Sequence, residues 1–273
     1  MRKVNTKTPI LFFSVILSVI AITGISAYYF FFYPKQIASS FTLAIGEDLN
    51  KSKQDVDKLE VVVSSWDELT KGNSNKTIED LRSIKINFSN LSAKSESAKR
   101  NTELEELYKA VRQFSQSGQE VAENLESIAI YFKKVESAVK AFNNLNTDSK
   151  SLEKISNLVT NFKNISEQSL TELEKVAPPK MLVNLDKDYK DLLRQYIKSA
   201  NDLNEAIGQK DTKKIETVGR ESDDAVNSIT KQLDADMAIF KESSSFSTDI
   251  SGLRNLRKLI DENLGRIKSH YNF

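Results

Sequence analysis

An all-α chain is predicted by this 273-residue sequence: one N-terminal transmembrane helix, then an elongated extracytoplasmic antiparallel helical bundle with coiled-coil-like packing. Three observations predict it. Residues 10–33 carry no charged side chain and are long enough to cross a hydrocarbon core of about 30 Å as a helix. From Lys35 onward proline occurs only at Pro178 and Pro179 and glycine is scarce, so little interrupts a helix. Apolar residues in that part recur at alternating spacings of three and four, the period of one helix face.

The apolar run comes first. Its early part, Ile10 to Ile20, is rich in aliphatic residues and phenylalanine, and it closes with Tyr28-Tyr29-Phe30-Phe31-Phe32-Tyr33. Tyrosine rings favour the headgroup layer, where the ring is buried and the hydroxyl stays wet, so this block is expected to be an interfacial belt ended by Pro34 and Lys35. A cleaved signal has a shorter apolar segment of about 7 to 15 residues. Ile25-Ser26-Ala27 resembles a cleavage site at two of its three positions, so removal after Ala27 stays open beside retention as an anchor, which the length favours. Arg2, Lys3 and Lys7 precede the run and Lys35 alone lies close behind it, which predicts a short cytoplasmic segment 1–9 and a body outside the membrane.

The helices of the body follow from the stripes. One runs from the membrane through Phe41, Ile45, Leu49, Val56, Leu59, Val63, Trp66 and Leu69 to a turn-rich cluster, Lys71 to Asn75. Trp66 stands at stripe spacing and is expected in the core. A second helix carries Ile78, Leu81, Ile84, Phe88 and Leu91, and a change of phase places a break within 93–102. The clearest stripe is Leu104, Leu107, Val111, Phe114, Val121, Leu125, Ile128, Phe132, Val135, Val139 and Phe142, with Gly118 its one gap. Its flanks (Tyr108, Ser115, Ala122 and Ala129 on one side, Ala110, Ser117, Asn124, Tyr131 and Ala138 on the other) are almost free of charge. A face that wide needs more than one neighbour and predicts a bundle of three or four helices.

After Asn146-Thr147-Asp148, with Asp148 a candidate cap, a helix runs from Leu152 to Val176 and stops at Pro178-Pro179, since proline disfavours helical geometry before it and donates no hydrogen bond. The next runs from Leu182 to Ile207 and ends at Gly208-Gln209-Lys210. Asp211 is expected to cap another that ends near Ser243-Ser244-Ser245, and a last helix carries Ile250 to Ile267. The body divides in sequence into 34–146 and 147–273, as one continuous domain or two stacked bundles.

Composition then removes whole classes of chemistry. There is no cysteine, and His270 is the only histidine, expected to be an exposed residue without a role. A Ser or Cys triad therefore lacks its base, a zinc site lacks its ligands, and a di-iron bundle site fails because position 267 is Ile267 rather than glutamate. The eight glycines are dispersed, so no phosphate-cradling loop forms. Asp186, Asp188 and Asp191 resemble the start of a calcium loop, but Lys190 takes the next ligand position and Asp191 that of the turn glycine. They are expected on a solvated helix face, as are Glu221, Asp223 and Asp224. No catalytic, cofactor or metal residue is assigned, and no cofactor is expected.

Charge bears on partners. Of the 39 basic residues, Arg2, Lys3, Lys7 and Lys35 belong to the anchor, leaving 35 against 38 acidic residues, a body charge of −3. That balance argues against nucleic acid, which selects a clustered basic face. The abundance of lysine and asparagine points to an AT-rich bacterial genome. The expectation is a non-enzymatic, membrane-anchored interaction or structural module of the cell envelope, touching other envelope proteins or wall material. The alternative is a ligand-sensing extracytoplasmic domain. Its architecture resembles the ligand domains of bacterial chemoreceptors, but with nine residues ahead of the run it would need a separate signalling partner.

Overall fold

The computed structural model describes residues 32–65, 74–96, 104–145 and 152–272, and among these every element is helical. The predicted anchor lies outside the described residues except for Phe32 and Tyr33, as do Trp66 and Asp148. Among the described residues no helix is long and apolar enough to cross a membrane.

The elements are α1 (Tyr33–Ser64), α2 (Ser74–Ser95), α3 (Glu105–Val139) with a 3-10 extension Lys140–Asn144, α4 (Leu152–Glu174), a 3-10 turn Lys180–Leu182, α5 (Val183–Gly208), α6 (Thr212–Ser243) and α7 (Phe246–Tyr271). Pro34 sits in the first turn of α1, where its missing N–H costs nothing and its fixed φ suits the helix. Ser74 and Asn75, expected in a turn, open α2 instead. Asp211 caps α6 as expected, its carboxylate accepting from the Lys214 N–H at 3.0 Å. The left-handed residue of the preceding turn is Lys210 (φ 53°) rather than Gly208, which stays helical.

The chain forms two compact units, each gathering several segments. Described residues of the first fall within Met1–Gln54, Asn87–Gly118 and Gly252–Phe273, so it takes parts of α1, α2, α3 and α7. Its core contains Phe41, Ile45 and Leu49 of α1, Phe88 and Leu91 of α2, Leu107, Val111 and Phe114 of α3, and Leu253 and Ile260 of α7. Each such side chain removed from water contributes about 1.5–3 kcal/mol. Here α7 runs antiparallel to α1: the Lys35 ammonium reaches the carbonyl of Asn272 at 3.3 Å, while Lys53 pairs with Asp261. Gly118, the gap in the α3 stripe, is filled by a neighbour, because the Phe88 ring occupies the space a Cβ would need and stands edge-on to Phe114 at 5.4 Å.

The second unit gathers Asp55–Ile86 and Gln119–Ser251. In it α5 packs on both α4 and α6, antiparallel to each. Arg194 meets Glu174 and Asn204 meets Thr160 on one side, and Lys214 meets Glu205 on the other. Two neighbours give α5 two buried faces, so Leu193 and Ala200 are buried beside the expected Leu185. The apolar series of α6 is half-buried until Phe240. An aromatic trio of Phe142, Phe162 and Tyr196 joins the 3-10 extension, α4 and α5 at centroid distances of 5.0–6.2 Å.

Candidate functional site

Two features concentrate polar chemistry, one in each unit. The first is a cleft of about 600 Å³ in the first unit, between the opening turn of α3 and the last turns of α7. Helical spacing puts Asn263, Arg266, Ile267 and His270 on one face of α7, and the start of α3 supplies Glu105, Glu106 and Leu107. Asn263 is 4% exposed. Arg266 donates to Glu106 at 3.1 Å and also to the Asn263 side-chain oxygen. The Lys109 ammonium hydrogen-bonds Glu105 at 2.6 Å and holds its carboxyl below the usual carboxylate range.

His270, expected to have no role, is exposed as anticipated but lines this cleft, its ring edge-on to Tyr271 at 4.7 Å. An apolar floor from Leu107 and Ile267 under a rim of both charge signs suits a small polar molecule held by hydrogen bonds. The signal in the sequence was the Asn263-x-x-Arg266-x-x-x-His270 spacing. It went unread because the cleft's other wall comes from a helix far away in the chain.

The second feature corrects an expectation. Asp186 and Asp188 do not lie on a solvated face, for each is only 6% exposed. Asp186 accepts from the Tyr131 hydroxyl at 3.1 Å and from the Lys190 ammonium at 2.6 Å. Burial and the nearby Asp186 carboxylate push the Tyr131 hydroxyl far above its ordinary pKa, so it stays a neutral donor. Asp191, also expected in solvent, is partly covered and ion-pairs with Lys187 and Arg194. Glu221, Asp223 and Asp224 are exposed, as expected.

Asp188 faces a second acid. Its carboxyl meets that of Asp236 on α6, and burial together with this neighbour raises its pKa, while Lys187 works in the opposite direction and Asp191 adds to the rise. A raised carboxyl pKa in the fold gives stability that is present at low pH and lost as pH climbs through the raised value. Asp188→Asn removes the repulsion and is expected to raise the melting temperature near pH 7 by about 2–4 °C, corresponding to about 1 kcal/mol. The gain should shrink as the pH falls into the carboxylate range, where the raised pKa of Asp188 favours its neutral form in the native chain. Calorimetry of both proteins near pH 7 and in the acid range checks this, and an unchanged difference would refute the raised pKa of Asp188.

Glu126, on α3, is a further buried charge that reading the stripe missed. It is 7% exposed, and Arg82 and Lys85 of α2 each approach its carboxylate at 2.7 Å. Burial alone would push its pKa up, but the two cations outweigh burial and leave it below the ordinary glutamate value. Among the described residues no group of three His, Asp or Glu side chains is arranged to hold a metal ion. No family model, curated protein or solved structure matches the chain.

Proposed function

We propose that this is a membrane-anchored, non-enzymatic helical-bundle protein of a bacterial cell envelope, with residues 10–33 as an uncleaved anchor and the bundle outside the membrane, in contact with other envelope proteins or wall material. The observation that carries it is the uncharged run 10–33, preceded by cationic residues, at whose last residue, Tyr33, α1 begins. Balanced charge, one histidine and no cysteine support an interaction module over a catalyst or a nucleic-acid binder.

Because the chain has no native cysteine, a single cysteine in place of the exposed Ser228 is a clean reporter. Intact cells treated with an impermeant maleimide should label it fully, with the protein in the membrane fraction. Labelling that needs permeabilised cells would place the body inside and overturn the topology. Turnover in an unbiased hydrolase screen would overturn the non-enzymatic part.

The second reading, a ligand-sensing extracytoplasmic domain acting through a separate signalling partner, is favoured by the α3/α7 cleft. A small polar ligand should raise the melting temperature of the native chain, and Arg266→Gln should abolish that rise.

A further inference from the structure

Within the first unit, the end of α7 returns to the start of α1. Lys35, two residues beyond Tyr33 and so about 3 Å along the helix from the end of the apolar run, donates to the carbonyl of Asn272 at 3.3 Å. The two helix ends are also chemically alike. Residues 32–46 at the start of α1 and 264–272 at the end of α7 carry Lys35, Arg266, Lys268 and His270 and not one acidic residue. Phe32 and Tyr33 are 65% and 46% exposed, which is unusual for aromatic rings at a helix start that faces water.

Of the acids flanking this end, Glu262 is exposed one turn before Arg266 and the others are matched. Glu106 pairs with Arg266, Glu105 with Lys109, Glu47 with Lys51 and Asp48 with Lys94. Lys268 is exposed in the last turn of α7 and has no ionic partner among the described residues. A cationic end without an acid of its own, beside exposed interfacial aromatics, fits an anionic headgroup layer.

We infer that the last turns of α7 lie against the surface of the membrane that holds residues 10–33, with Lys35 and Lys268 facing anionic lipid headgroups. This rests on the anchor proposed above. It adds a second, reversible contact between the bundle and the bilayer. The contact weakens with salt, because the charges are exposed and screened within about 8 Å at physiological ionic strength.

The full chain in lipid nanodiscs tests this directly. A fluorophore is attached to a single cysteine at Ser269→Cys or at Asn255→Cys, both exposed positions on α7. The second lies about 21 Å farther along the helix. With a quencher on the lipid headgroups, the label at 269 should be quenched roughly fivefold more than the label at 255, since about 21 Å exceeds the depth of the headgroup layer. Adding anionic lipid should strengthen quenching at 269, and the double variant Lys35→Gln, Lys268→Gln should lose that increment while still co-purifying with the nanodiscs.

Equal quenching at 269 and 255 in a chain that co-purifies with nanodiscs overturns the surface contact and leaves the anchor standing. An increment that survives the double variant overturns the role of the two lysines. A chain that does not co-purify with nanodiscs removes the anchor, and the contact with it.

Discussion

Replacing Asp186 by alanine is expected to destabilise the second unit by about 3–5 kcal/mol, the range found when one member of a buried charged pair is removed. The cost comes from what is left behind. Lys190, whose side chain is 15% exposed, loses its carboxylate, and the Tyr131 hydroxyl, on a residue 1% exposed, loses its acceptor. Both groups would then sit in a weakly polar interior without compensation. Denaturant unfolding of Asp186→Ala against the native chain measures the loss. In the double variant Asp186→Ala, Tyr131→Phe, part of the loss should return, because the stranded hydroxyl is gone. A loss below about 1 kcal/mol would mean that water replaces the carboxylate and that the network contributes little.

Gly118→Ala should destabilise the first unit by about 1–3 kcal/mol, against the usual direction for this substitution. In an open helical site alanine is favoured over glycine by about 0.5–1 kcal/mol, because glycine loses more backbone freedom on folding. Gly219 of α6 is such a site, with nothing beyond its adjacent residues and its own helix backbone within 4 Å of where an alanine methyl would sit, and Gly219→Ala should stabilise accordingly. At Gly118 the same methyl enters space held by the Phe88 ring, which is fully buried and fixed against Phe114. Melting temperatures of the two single variants should therefore move in opposite directions, and stabilisation by Gly118→Ala would show that Phe88 can be displaced at little cost. Phe88→Leu should relieve the clash when combined with Gly118→Ala.

Helix positions were readable because a three-four apolar spacing and a few strong stop signals are local properties. α2 ends at Ser95, inside the stretch 93–102 where a break is expected, and residues 97–103 lie outside the described residues. The stop at Pro178-Pro179, the Asp211 cap and the interruption near Ser244 appear where those residues place them. The wide face of α3 is borne out on one flank, where Tyr108, Ser115, Ala122 and Ala129 are all buried; on the other, Ala110 and Tyr131 are buried, Ser117 and Ala138 half-buried and Asn124 exposed.

Buried charge was not readable. Asp186, Asp188 and Glu126 look like solvated-face residues until their partners are known, and Tyr131 and Arg82 come from helices 55 and 44 residues away in sequence. One signal was present. Asp186 lies four residues after Leu182 and seven before Leu193, both buried, and so stands on a core-facing side of α5. The cleft was hidden for the same reason, since α3 and α7 are separated by more than a hundred residues.

The segmented make-up of the first unit has a consequence for the order of events during synthesis. Its α3 part ends at Gly118, and its α7 part begins only at Gly252. At about 5–20 residues per second, the ribosome needs roughly 7–27 s to make the intervening chain. Through that interval the apolar faces of α1, α2 and α3 that close on Leu253 and Ile260 have no cover. A chain in this condition is exposed enough to aggregate or to be held by a chaperone. Completion of the first unit is therefore tied to the arrival of α7, so the order in which this unit closes is set by its topology.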